Sequence, residues 1–187
     1  MREISGNPDI VAEDQLVLAA RAGDQVAYGR LVELSQSSLR CFLRSLADND
    51  PDLADDLAQD TFIIAYRQLQ SFRNDGTFLS WLMGIGYRQF LQYARKKKRR
   101  RELLEDAEEF KRPNSRRDGI LAIDLERALA CLSLKERTAI ILNSRDGFTH
   151  EEIAAVMELP LGTVKSHISR GRDKLKHILS GQENSNG

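Results

Sequence analysis

The chain has few of the residues that build metal centres, disulfide frameworks or membrane spans. It contains only two cysteines, Cys41 and Cys131, three histidines and no CxxC pair, so no spacing typical of a zinc site or a disulfide framework is present. Both cysteines lie in apolar helical contexts, and we expect buried, inert thiols in a reducing compartment. The sequence has no run of about 18 apolar residues and no apolar core near its start, so we predict neither a membrane span nor a signal peptide.

Strand signals and catalytic motifs are also missing. Apolar residues never alternate as they do in strands, and almost every segment has helical periodicity. The sequence contains no P-loop, GxSxG or HExxH motif and no cysteine–histidine nucleophile arrangement. We therefore predict an all-α protein that has no catalytic residues, no metal, no cofactor and no enzymatic activity. A length of 187 residues is enough for one domain or two small ones.

Composition along the chain predicts two small helical domains joined by a flexible linker. Helices are expected at 13–35 (one helix, or a pair bent at Gly23-Asp24), 37–47, 52–70 and about 78–101. A polar, charged stretch at 102–119 is typical of a linker. The predicted organisation is a tail at 1–12, a first domain at 13–101, a linker at 102–119, a second domain at 120–179 and a disordered tail at 180–187.

Charge is distributed unevenly although the net charge is zero. Arg95–Arg101 is a run of seven basic residues, whereas the stretch from Asp48 to Asp60 holds six aspartates and no lysine or arginine. This asymmetry suggests two partners, one anionic and one that tolerates or prefers acidic groups.

The segment from Thr149 to Leu175 predicts a helix-turn-helix. Thr149 and Glu152 have the spacing of a capping box, and Pro160 cannot continue the preceding helix. In the second helix, Val164 and Ile168 are expected to face inward. The outward residues, Lys165, Ser166, His167, Arg170 and Arg172, form a basic face that fits a DNA major groove. A plain surface helix pair with a solvated basic face is the alternative.

Two further patterns lie in the first domain. The segment DLADDLAQDTFIIAY places acidic and amide side chains on the face opposite its core stripe, which suits a protein partner or solvent rather than phosphate. The segment FRNDGTF, followed by Trp81, Tyr87, Arg88 and the basic run, combines a loop, aromatic rings and cations, as single-stranded DNA requires. For Trp81 and Phe90, a core position is the commoner explanation of such spacing.

These segments resemble RNA polymerase sigma factors of the sigma-70 family, in particular the short extracytoplasmic-function (ECF) subfamily. The matching stretches are ADDLAQDTFIIAY, FRNDGTFLSWL and the helix-turn-helix with the helix before it, in the family's order. The resemblance implies a first domain (region 2) that docks on the β′ clamp helices of polymerase and opens the −10 element. It implies a second domain (region 4) that reads the −35 element and touches the β flap.

The resemblance also implies roles for individual residues. The residues that match the polymerase-binding face are Asp55, Asp56, Gln59 and Asp60. Those that match the −10 contacts are Phe72, Arg73, Asn74, Asp75, Thr77, Phe78, Trp81, Tyr87 and Arg88. Those that match the −35 contacts are Gly162, Thr163, Lys165, Ser166, His167, Arg170 and Arg172, with backbone N–H groups of Gly162 and Thr163 expected at phosphate.

Members of this family act in the bacterial cytoplasm, on the nucleoid when active, and are often held inactive by an anti-sigma factor, commonly a membrane-bound one. The resemblance therefore implies polymerase core, promoter DNA and an anti-sigma factor as partners, with no membrane insertion of the chain itself. A stand-alone helix-turn-helix regulator is the other hypothesis, and it predicts a dimer and a palindromic site. That hypothesis gives the acidic helix and the FRNDGTF segment no role.

Seven positions depart from the family pattern. Four of them lie in or next to the helix expected at the −10 element, so no −10 consensus is carried over: Gly84 and Gly86 stand where larger residues are usual, Arg88 where asparagine is common and Leu79 where arginine is frequent.

The other three lie in the helix-turn-helix. Glu158 stands at a turn position that is often glycine, which predicts modest backbone strain. His167 stands where arginine is usual, and we expect it to alter −35 readout. Gly171 stands where alanine is usual, and we expect it to weaken the helix interior by about 1 kcal/mol.

Overall fold

A computed structural model describes residues 8–73, 76–105, 128–144 and 147–183. Every regular element in these ranges is helical, which confirms the all-α class. The helices are α1 (Pro8–Arg21), α2 (Gln25–Leu46), α3 (Pro51–Gln68) with a 3-10 turn at Leu69–Ser71, α4 (Phe78–Glu105), α5 (Leu134–Ser144), α6 (His150–Met157) and α7 (Leu161–Glu183). Two compact units result: Met1–Gln89 with Ala155–Met157, and Phe90–Ala154 with Glu158–Gly187.

The predicted bend at Gly23-Asp24 is a complete break between α1 and α2. Gly23 has a φ of 99°, which glycine adopts without steric cost. The Asp24 carboxylate then accepts hydrogen bonds from the N–H groups of Val26 and Ala27 at 2.8 and 3.1 Å, and it thereby caps α2.

The separate helix predicted at 37–47 is wrong, because α2 continues without interruption to Leu46. The predicted break falls in the polar run Ser35-Gln36-Ser37-Ser38. The Ser35 hydroxyl instead donates to the carbonyl of Leu31 one turn earlier, so its polar group is satisfied within the helix. No proline or glycine interrupts this stretch.

The core of the first unit is built mainly from α2, α3 and the first half of α4. Its most deeply buried side chains include Leu31, Leu39, Phe42, Leu43, Phe78, Leu82, Met83 and Ile85. On α3, Leu57 and Ala65 are buried as expected, whereas Leu53 and Ile64 are only partly buried. The small residues Ala54, Ala58 and Thr61 are buried as well, and α3 packs against α2, since short side chains let two helices approach closely.

In the second unit, α5 packs against α7 beside an ion pair between a buried glutamate and a half-exposed lysine. Glu136 is 4% exposed, the Lys174 side chain is 51% exposed, and the Glu136 carboxylate accepts from the Lys174 ammonium at 2.8 and 3.0 Å. Glu136 also accepts from the N–H of Ser133 at 3.0 Å and from its hydroxyl at 2.8 Å, which is a capping box at the start of α5. The hydrogen bonds from Lys174 are the main cause that lowers the pKa of Glu136 from 4.5 to about 2, against the opposing effect of burial.

Gly171 marks the closest approach of α7 to α5. A Cβ at this position would lie 2.9 Å from Cγ1 of Ile140, which is closer than carbon atoms pack. The expected helix penalty of this glycine is therefore offset by the close crossing that it permits.

The predicted burial of the cysteines and the predicted bounds of the linker and the C-terminal tail need correction. Cys131 is exposed and Cys41 partly exposed, so the expectation of two buried thiols is wrong. Residues 102–105 of the predicted linker continue α4, and residues 180–183 of the predicted disordered tail continue α7. The rest of the predicted linker, the first residues of the second domain and positions 184–187 lie outside the described residues. None of the described helices has the length and apolarity needed to cross a membrane.

Candidate nucleic-acid interface

The helix-turn-helix forms as the sequence predicts. The Thr149 hydroxyl accepts from the Glu152 N–H at 3.2 Å, and the Glu152 carboxylate accepts from the Thr149 N–H at 2.9 Å, which completes the capping box at α6. Val164 and Ile168 are buried. Glu158 has a φ of 53°, so the residue where the family usually has glycine does adopt the left-handed conformation.

The outer face of α7 presents the predicted cations. Lys165, Ser166, Arg170 and Arg172 are exposed, and His167 is partly exposed. At the start of the helix, the Thr163 N–H donates to the carbonyl of Pro160 at 2.9 Å. This N–H is therefore engaged within the turn, whereas Gly162 is exposed and Thr163 partly exposed.

Arg170 lies back along its own helix. Its Nε donates to the Ser166 carbonyl at 3.2 Å, and its Nη2 lies 3.3 Å from Nδ1 of His167. Burial, followed by the positive charges of Arg170 and Lys135, lowers the pKa of His167, so the imidazole is neutral at pH 7. Because a guanidinium can only donate, Nδ1 accepts, and Nε2 carries the ring proton as a hydrogen-bond donor.

Arg172 forms a hydrogen bond with a residue of another helix. Its Nη2 donates to Oδ1 of Asn143, at the end of α5, over 2.6 Å. The Asn143 amide nitrogen donates in turn to the carbonyl of Phe148 at 3.3 Å. Sequence reasoning missed this contact, because the two residues are 29 positions apart and no local pattern joins them.

The outer face of α3 carries the predicted acidic set. Asp55, Asp56, Gln59 and Asp60 are all exposed. Asp55 pairs with Arg40 of α2 at 3.2 Å, with both side chains about half exposed. Ile63 is 50% exposed and Tyr66 45% exposed, so the face also offers apolar surface beyond its acidic groups.

The residues of the FRNDGTF segment divide into buried and accessible groups. The rings of Phe72, Phe78 and Trp81 pack together, with centroids 5.2 to 6.1 Å apart. Phe72, Phe78 and Tyr87 are buried, which favours a supporting role for them. Arg73 is exposed, and Thr77, Trp81 and Arg88 are partly buried. Asn74 and Asp75 lie outside the described residues.

Helix α1 holds both ends of this segment, which sequence reasoning did not foresee. The Glu13 carboxylate accepts from the N–H of Phe78, the first residue of α4, at 2.9 Å. Arg21 donates to the carbonyl of Leu69 at 3.1 Å and lies over the Phe72 ring at 5.8 Å from its centroid. Thr77 adds a local cap, because its hydroxyl accepts from the Ser80 N–H at 3.1 Å.

Comparison with known proteins assigns both units to one family. The family description Sigma-70 region 2 matches residues 31–100, and Sigma-70, region 4 matches residues 122–175. The chain is 32% identical over 184 residues to the ECF RNA polymerase sigma-E factor of Haemophilus influenzae, a match that covers 90% of this chain and 96% of that protein. The chain belongs to the ECF sigma factors of the sigma-70 family.

Two solved structures have the same fold. The sigma factor RpoE of Bartonella quintana, in complex with the anti-sigma factor NepR, matches with a TM-score of 0.66 and 32% identity, covering 82% of this chain and 96% of that one. CnrH, in complex with the cytosolic domain of CnrY, matches with a TM-score of 0.69 and 29% identity, covering 91% of this chain and 98% of that one. The sigma factor assignment accounts for both units, which the hypothesis of a stand-alone regulator does not.

Proposed function

We propose that this sigma factor joins core RNA polymerase through α3, directs initiation at promoters through two separate DNA contacts, and has no catalytic activity of its own. The observation that carries the proposal is the pairing, on one chain, of an exposed acidic helix face with a helix-turn-helix whose outer face is basic. An acidic face repels DNA phosphate and suits a basic protein surface, whereas the basic face of α7 suits the major groove.

The polymerase contact consists of Asp55, Asp56, Gln59 and Asp60 against the β′ clamp helices. Asp55 already pairs with Arg40, so the approach to polymerase relies more on Asp56 and Asp60. Ile63, half exposed one turn further along α3, supplies the apolar contact that charges alone lack, because charge complementarity contributes more to rate and specificity than to affinity.

The −10 contact uses the residues around the start of α4. Arg73 and Arg88 hold the backbone, and Trp81 and Thr77 lie nearest the separated strand. The buried rings of Phe72, Phe78 and Tyr87 support this surface from below. Asn74 and Asp75 complete the set that the family resemblance implies. Unstacking a base costs a few kcal/mol, so this contact forms in company with polymerase.

The −35 contact uses the outer face of α7. Lys165, Ser166 and His167 face the base edges, with the His167 Nε2–H as a donor where arginine is usual. Arg170, Arg172, the Thr163 hydroxyl and Gly162 hold phosphates, and the second domain also touches the β flap. Phosphate contacts set the register while base contacts select the sequence.

An anti-sigma factor is the proposed regulator. Support comes from the solved structure of the sigma factor RpoE, which is bound to the anti-sigma factor NepR. The proposed place of action is the bacterial cytoplasm, on the nucleoid when active, with storage at the inner membrane through the anti-sigma factor.

A charge-reversal experiment tests the polymerase contact. The double variant Asp56→Lys/Asp60→Lys is expected to bind core polymerase at least tenfold more weakly, because like charges across an interface cost several kcal/mol. Affinity is measured by anisotropy of labelled full-length protein titrated with core. Glu151→Lys, an exposed acid at the start of α6, is the matched control and should bind as the unaltered chain does. Equal affinity for the double variant would exclude this face as the polymerase contact.

A further inference from the structure

We propose that Asn143 is a positioning residue for −35 recognition, and that it acts by holding the Arg172 guanidinium ready for a DNA phosphate. The proposal rests on the −35 contact assigned above to Arg172. Asn143 itself lies at the end of α5 and is not placed at the DNA.

Both ends of the Asn143 amide are hydrogen-bonded. Oδ1 of Asn143 accepts from Nη2 of Arg172 at 2.6 Å. The amide nitrogen donates to the Phe148 carbonyl at 3.3 Å, and the Phe148 N–H donates to the Leu142 carbonyl at 3.2 Å. The amide is therefore oriented by the segment between α5 and α6, and it in turn orients an arginine of α7.

The hydrogen bond from Arg172 to Asn143 matters because an exposed arginine loses rotamer freedom when it binds phosphate. Arg172 is exposed, and holding its guanidinium before DNA arrives removes part of that loss from the binding step. By contrast, Arg170 is held only by Ser166 and His167 of its own helix.

The chemistry of the amide is as important as its position. A carboxamide accepts a hydrogen bond without carrying charge, so the guanidinium keeps its full positive charge for phosphate. A carboxylate at the same place would form an ion pair with Arg172 and compete with the DNA. Asparagine thus orients the cation without neutralising it.

Three variants of the full-length protein, assembled with core polymerase, test the proposal. The DNA is a duplex that carries the −35 element recovered by selecting random DNA with the holoenzyme, and affinity is measured across a range of salt concentrations. Asn143→Ala should weaken binding about two- to tenfold through lost ordering, with the salt dependence unchanged. Arg172→Ala should lower the slope of log K against log salt by about 1. Asn143→Asp should weaken binding and lower the slope as well.

The double variant Asn143→Ala/Arg172→Ala separates positioning from a structural effect. If Asn143 acts through Arg172, adding Asn143→Ala to the Arg172→Ala protein should change its affinity for the −35 duplex less than twofold. An equal loss in both backgrounds would show that Asn143 acts through the fold, and it would overturn the proposal. If Arg172→Ala weakens binding and Asn143→Ala does not, the positioning role alone fails. If Arg172→Ala has no effect, the phosphate contact fails, and the positioning role fails with it.

Discussion

Single side chains decide how α5 and α7 fit together. Glu136 caps α5, pairs with Lys174 and lies beside the position where Gly171 lets the helices cross. The Ser133–Glu136 spacing is the same capping signature as Thr149–Glu152, so the sequence contains the signal for the cap. It contains none for Lys174, which is 38 residues away.

The Glu136–Lys174 pair predicts a pH-dependent stability. The pKa of Glu136 is lowered from 4.5 to about 2 in the folded chain. The ionised Glu136 therefore makes its full contribution to the free energy of unfolding above about pH 5. This contribution is lost as the pH falls from 4.5 towards 2. Glu136→Gln should reduce the free energy of unfolding by roughly 1.5–3 kcal/mol at pH 7.

Urea unfolding, followed by circular dichroism between pH 7 and pH 3, checks this prediction. The difference between the Glu136→Gln variant and the unaltered chain should shrink as the pH falls. Glu151→Gln, at the exposed start of α6, is the control and should stay within about 0.5 kcal/mol of the unaltered chain at every pH. A difference that is the same at pH 7 and pH 3 would contradict the ion-pair explanation.

Gly171 and Gly162 lie in the same helix and should respond in opposite ways to alanine. A Cβ at Gly171 meets Ile140 at 2.9 Å, whereas a Cβ at Gly162 has no atom within 4 Å. Gly171→Ala should destabilise the protein by about 1–3 kcal/mol through overpacking. Gly162→Ala should stabilise it by up to about 1 kcal/mol through helix propensity. Thermal unfolding of the two variants side by side checks the prediction, and a stabilised Gly171→Ala would refute the close-approach role.

Among the elements, α1 has a role that only the structure shows. Its Glu13 accepts from the first N–H of α4, and its Arg21 donates to the carbonyl of Leu69 at the start of the 3-10 turn after α3. These contacts span 65 and 48 residues. Local composition predicted a helix here, but it could not indicate which distant backbone groups the helix would satisfy.

Removing the Glu13 cap should loosen the start of α4. Glu13→Ala is expected to cost about 1 kcal/mol, the usual value of an N-terminal cap, while Glu13→Gln keeps an acceptor oxygen and should cost less. Amide hydrogen exchange at Phe78 reports the effect directly. Gln15→Ala, at an exposed position of the same helix, serves as the control. Unchanged protection of the Phe78 amide in Glu13→Ala would contradict the capping role.

The helix-turn-helix is the element that the sequence predicted most completely. Thr149, Glu152, Pro160, Val164 and Ile168 lie on one continuous segment, each within a few residues of the next signal except at the turn before Pro160, and local spacing therefore encodes their geometry. The break predicted between residues 35 and 37 was wrong, because composition does not show that the Ser35 hydroxyl bonds within its own helix. The burial of Phe72, Phe78 and Tyr87 depends on tertiary packing, so aromatic spacing alone could not separate support from contact.

At the scale of the whole molecule, the proposed function places two DNA contacts and two polymerase contacts on a single chain. Tethered contacts raise the effective concentration of one another and give an avidity that none has alone. The acidic face of α3 and the basic face of α7 are compatible on one chain because they address different partners. This division of roles predicts that the protein alone selects promoters poorly and gains selectivity when it joins polymerase.

Run-off transcription with purified bacterial core polymerase and a genomic fragment library, with and without this protein, tests the central claim most directly. The account predicts discrete new start sites that require both the protein and core polymerase. It also predicts loss of these transcripts with Asp56→Lys/Asp60→Lys and their retention with Glu151→Lys. Absence of any protein-dependent transcript, together with tight binding of the protein alone to a palindromic duplex, would contradict the account and establish a stand-alone regulator.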